Sequence, residues 1–165
     1  MSTETPAKVR TDALVGYLGD HQAGALGGED LAKSLAERNT QYPALSEIAK
    51  DIADDRETLE RLMQRFDSEG SIMKQAGAMT IGKLAESVFG AASDSEKSLK
   101  FLRQIEVLKM GVEGKLCLWE TLQEIENTDE RLGGYDFERL AGRAKSQIQA
   151  LGDVQLKLAR KALLD

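Results

Sequence analysis

The chain has 165 residues, enough for one domain to bury a substantial core without disulfides or a structural metal. It carries a formal charge of −6 with acidic and basic residues interspersed, and it offers neither the basic stripe nor the aromatic platforms of a nucleic-acid binder. One cysteine excludes an internal disulfide, and no stretch approaches a membrane-spanning length.

Two prolines, Pro6 and Pro43, stand where helices begin, and Ala, Leu, Glu, Lys, Gln and Arg dominate. These residues lose little rotamer freedom in a helix, so an all-α domain is expected over residues 11–165, with residues 1–10 as a flexible N-terminus. The first helix spans 11–38, starting at Thr11 as a capping hydroxyl with Asp12 in the first turn. Its apolar stripe runs Leu14, Tyr17, Leu18, His21, Ala25, Gly28, Leu31 and Leu35. Asn39 and Thr40 break the pattern. A second helix over 42–67 presents Leu45, Ile48, Ile52, Asp55, Leu59, Leu62, Met63 and Phe66 on one face, with Glu57 and Arg61 as an exposed pair.

Ile72, Ala76, Met79, Lys83 and Leu84 form a weaker amphipathic segment that Gly77 and Gly82 loosen and Gly90 closes, a crossover laid across the other helices. Ser93-Asp94-Ser95-Glu96 is a capping box opening a third helix over 94–127, with Phe101, Leu102, Ile105, Leu108, Val112, Leu116 and Trp119 inward. After Gly133-Gly134, a fourth helix over 135–163 places Phe137, Leu140, Ala141, Ala144, Ile148, Leu151, Val154 and Leu158 on its stripe. Lys157, Arg160 and Lys161 complement the negative end of its dipole.

The order is hairpin, crossover of about 25 residues, hairpin, which fits an antiparallel four-helix bundle. That order resembles the ferritin-like family, and Ile105-Glu106-Val107-Leu108-Lys109-Met110-Gly111-Val112-Glu113-Gly114-Lys115 is similar to stretches in uncharacterised bacterial members. The resemblance implies carboxylate ligands for a di-metal centre, one from each of two helices and a Glu-x-x-His from each of the others. The chain departs from this pattern. It contains no Glu-x-x-His, its single histidine follows Leu18 at that spacing, and helix four offers Arg143, Lys145 and Gln147 where ligands are expected.

Two polar groups nevertheless lie on core stripes, His21 and Asp55. A bare buried carboxylate costs several kcal/mol, so Asp55 must find a partner. Counted from the turn near Thr40, His21 lies about 19 residues back and Asp55 about 15 forward, a mismatch of roughly 6 Å, so a core polar pair is expected. The alternative is a reduced site in which His21, Asp55 and Glu113 hold iron or manganese, as in a stress protein or oxidase. Glu106, Glu113 and Glu120 recur by heptads, as a solvated flank or ligand source.

The remaining chemistry is sparse. Gly16, Gly19, Gly24, Gly27 and Gly28 weaken the first helix and point to close helix packing, with no strand or Lys-Ser/Thr that a phosphate loop needs. Gly111 and Gly114 likewise leave room for another helix to approach. Cys117 between apolar neighbours reads as an inert, half-buried thiol. No catalytic motif is present, no cofactor is required, and neither nucleic acid nor membrane is an expected partner. The expected protein is cytoplasmic and non-enzymatic, acting by partner binding or self-association, with a homodimer favoured and Met73, Met79, Val88 and Phe89 as contact positions.

Overall fold

A computed structural model describes residues 8–66 and 94–164, and these residues are helical almost throughout. Four long helices follow one another: α1 (Thr11–Arg38), α2 (Ala44–Gln64), α3 (Asp94–Ile125) and α4 (Phe137–Leu163), with two short 3₁₀ turns, Glu126–Thr128 and Glu130–Leu132, between α3 and α4. There is no strand among the described residues, and none of their helices is long and apolar enough to cross a membrane. The expected crossover segment, its candidate contact residues and the Ser93 cap lie outside the described residues.

Helix ends follow local chemistry. Asn39 Nδ2 donates to the Leu35 carbonyl at 2.9 Å, satisfying one of the orphan acceptors where α1 stops. Asp136, not Tyr135, starts α4, because its carboxylate accepts from the Arg139 backbone N–H at 2.9 Å. Thr11 makes no cap. Its hydroxyl instead accepts from Arg131 at 3.1 Å and ties α1 to the α3–α4 connection.

That connection is held by cations. Arg131 also bonds Asp129 through both backbone and guanidinium, which brings the Asp129 carboxyl down to about 2. Arg65 donates to the carbonyls of Arg131 at 3.1 Å and Gly133 at 2.7 Å and lies 4.5 Å over the Tyr135 ring. Gly134 turns the chain at φ +82°, a region costly for any residue with a side chain.

The interior has two apolar clusters. One gathers Leu14 and Leu18 from the start of α1, Leu59 and Leu62 from the end of α2, Trp119 and Leu122 from the end of α3, and Phe137 and Leu140 from the start of α4. The other gathers Ala32 and Leu35, Leu45 and Ile48, Phe101 and Ile105, and Leu151 and Val154, from the opposite ends of the same helices. Helix α1 lies against α2 and α3, and α4 against α3 and α2. Wholly buried leucines such as Leu18 and Leu62 in the first cluster and Leu151 in the second each contribute about 1.5–3 kcal/mol, so both clusters are strong anchors.

The stripe expected on α2 is buried along its whole length, Asp55 included. The interior faces of α3 and α4 are rotated slightly from expectation. Leu118 and Leu122 are buried while Leu116 is only partly so, and Gln147 takes the inward place expected for Ile148. Gln22 is likewise buried on α1.

Candidate functional site

Between the two apolar clusters lies a layer of polar side chains. Its position can be read along each helix: Asp55 falls between Ile52 and Leu59, Lys115 between Val112 and Leu118, and Gln147 between Ala144 and Leu151. Asp55 is 1% exposed and accepts from both α3 and α4. Lys115 Nζ on α3 donates to its Oδ2 at 2.5 Å, and Arg143 Nη2 on α4 donates to its Oδ1. Lys115 Nζ also donates to Gln147 Oε1 at 2.6 Å. Gln147 Nε2 in turn donates to Asp51 Oδ2 at 3.4 Å, and Arg143 Nη1 stands 3.8 Å from Asp51 Oδ1.

Two carboxylates therefore face two cations, and the layer sums to zero charge. Burial pulls the Lys115 ammonium below its usual range, and the nearby Asp55 opposes that pull. Not every polar group is satisfied: Arg143 Nε and Gln22 Oε1 are buried with no hydrogen-bond partner among the described residues.

The expected His21–Asp55 pair is not formed. No hydrogen bond or ion pair joins the two, and the acid is taken by Lys115 and Arg143 instead. Register is the reason. Arg56 on α2 bonds Glu29 on α1, which sets Asp55 level with the turn that ends at Asp30 and leaves His21 about nine residues further along, about 13 Å. His21 is half-buried with its ring edge-on to Tyr17, centroids 4.7 Å apart at 71°. Burial lowers its pKa, with Asp20 pulling weakly the other way.

The other acids named from the sequence do not converge on Asp55. Glu113 is exposed, Glu106 accepts from Gln155 at 3.4 Å, and Glu120 pairs with Lys145 at 2.8 Å on the surface. Among the described residues no group of three or more His, Cys, Asp or Glu is placed to hold a metal ion. Cys117 is exposed, not half-buried, because it sits away from the face that buries Leu118 and Trp119.

At four of the glycines the expected close packing is not found. A methyl group added at Gly16, Gly28, Gly111 or Gly114 would meet nothing within 4 Å, so no helix approaches closely there. Gly28 on α1 and Gly111 and Gly114 on α3 instead line a cavity of about 390 Å³ between α1, α2 and α3. Its wall is mostly apolar, and His21, Asp55 and Lys115 all border it.

Lys115 escaped the sequence reading although its signal was present. Continuing Leu108 and Val112 by helical steps gives Lys115, Trp119 and Leu122, so the lysine stands on the buried stripe itself. Compared with known proteins, the chain matches no family model, no curated protein and no solved structure.

Proposed function

We propose that this chain is a non-enzymatic binding protein built on a ferritin-like plan: an antiparallel four-helix bundle whose long crossover joins α2 to α3, with an internal ion-pair layer where family members place a di-metal centre. The observation that carries this reading is Asp55, a buried carboxylate whose two oxygens are each taken by a cation, Lys115 and Arg143. A cation bonded to each oxygen repels a divalent ion and occupies the lone pairs that would bind it. The alternation of helix ends in the two apolar clusters supports the antiparallel order. Exposed Met110, Leu156 and Leu163, each more than 60% accessible, support association with another chain, a homodimer first. A cytoplasmic setting accords with a lone, exposed, unpaired thiol.

Native mass spectrometry of protein purified without chelators tests the reading in one experiment. The expected spectrum is a metal-free species, with the two-chain mass dominant at micromolar concentration. A stoichiometric iron or manganese adduct that EDTA removes would overturn the reading and make His21, Asp55 and Glu113 ligands to be tested singly.

A further inference from the structure

The cavity between α1, α2 and α3 has the volume of a small-molecule site, about 390 Å³, and its walls are mostly apolar. It exists because side chains are missing from two facing helices. Alanine at Gly28, Gly111 or Gly114 would favour the helix and meet no neighbour within 4 Å, so neither packing nor local propensity calls for glycine at these places. The space itself is what the glycines supply.

Trp119 gives an independent sign of a ligand. It lines the same cavity, is 1% exposed, and its Nε1–H has no acceptor among the described residues. Buried indole N–H groups ordinarily find a partner. Three of the charges that border the cavity are already matched, Asp55 with Lys115 and Arg56 with Glu29 and Glu60. An ion that engaged any of them would compete with an existing pair, whereas an uncharged molecule would not.

From these features we infer that the cavity binds an uncharged, apolar small molecule carrying a hydrogen-bond acceptor for the Trp119 indole. This goes beyond the metal-free binding protein proposed above.

Two dyes sharing one aromatic skeleton make the test: neutral N-phenyl-1-naphthylamine and its sulfonated analogue 8-anilinonaphthalene-1-sulfonate. Trp119 is the only tryptophan of the chain, so energy transfer from it reports dye bound to the protein, and leucine variants of the cavity wall localise that dye. The neutral dye should bind saturably at one equivalent per chain, and more tightly than the sulfonate. Gly28→Leu and Gly114→Leu, on different helices, should each weaken it by about tenfold or more while circular dichroism and thermal melting show the fold intact. Absence of saturable transfer overturns the inference, whether the space is filled by residues 67–93, by a second copy or by nothing. Binding that survives both leucines, or equal affinity for the sulfonate, overturns it too. A metal-loaded protein that still takes the neutral dye would sink the proposed function alone, and a metal-free protein that ignores it would sink this inference alone.

Discussion

Replacing Asp55 by Asn isolates the ion-pair layer. The variant keeps the size of the side chain, removes the charge, and turns one acceptor oxygen into a donor that must face either Lys115 Nζ or Arg143 Nη2. Asp51 cannot take over, since it reaches Arg143 only at 3.8 Å. Removing one partner of a buried pair costs about 3–5 kcal/mol. Lys115 and Arg143 keep 15% and 21% of their side-chain surface in solvent, which argues for the lower end, about 3 kcal/mol. With a urea dependence of about 2 kcal/mol per molar, the unfolding midpoint should fall by about 1.5 M. The melting temperature should fall by about 6–12 °C for a chain of this size. Urea unfolding followed by Trp119 emission, with circular dichroism as a second probe, reads the change.

Two controls separate lost charge from lost packing. Adding Lys115→Met to Asp55→Asn removes the stranded ammonium and should recover about half of the loss. pH gives the second control. Burial already lowers the folded pKa of Lys115 from 10.5, and without Asp55 that pull is less opposed. The unfolded chain then holds the proton at a pH where the folded chain has released it, so stability rises with pH through that window. The deficit of Asp55→Asn should therefore shrink as pH rises toward the unfolded value of 10.5. A cost below about 1 kcal/mol, with no recovery in the double variant, would refute the buried ion-pair account.

Two further outcomes are expected. Burial lowers the His21 pKa from 6.5, so this ring contributes stability that is complete above pH 6.5 and is lost as pH falls through its folded value. Urea midpoints at about pH 7.5 and about pH 5.5 should differ more for the native chain than for His21→Leu, by under about 1 kcal/mol because the ring is half in solvent. Asp136→Ala removes the acceptor for the Arg139 N–H and should cost about 1 kcal/mol in the same assay, with Asp136→Ser recovering most of it.

The sequence made some of this legible and left some hidden, for physical reasons. Asp55 was visible because α2 has a single apolar stripe, and the acid stands on it at a helical step from Ile52 and Leu59. Helix α3 is apolar on more than one side, so its inward face depends on the neighbouring helices. Following Leu116 instead of Lys115 turned the stripe by one position and hid the cation. The His21–Asp55 pairing rested on counting from a turn, and a hairpin's register is fixed by contacts such as Arg56–Glu29, not by the count. Glycines announce a missing side chain, but only the packing of α1 against α3 decides whether the vacancy is a close contact or a hole.

The polar layer and the cavity have a common origin in what α1 lacks. The layer draws its side chains from α2, α3 and α4, while α1 lines the adjoining cavity with Gly27 and Gly28. A glycine offers neither a metal ligand nor a partner for an ion pair, and Glu29 beside them is held by Arg56, so α1 adds no bond to the layer. The same missing atoms open the space beside Lys115. Above and below it α1 is well held, by Tyr17 bonded to Thr121 at 3.3 Å, Glu29 to Arg56, and its leucines in the two apolar clusters. The helix is thus anchored on both sides of the stretch that lines the cavity. With its charges matched among three helices, the layer forms a neutral floor beneath that stretch, and a neutral apolar guest can fill the gap without disturbing the ion pairs that hold α2, α3 and α4 together.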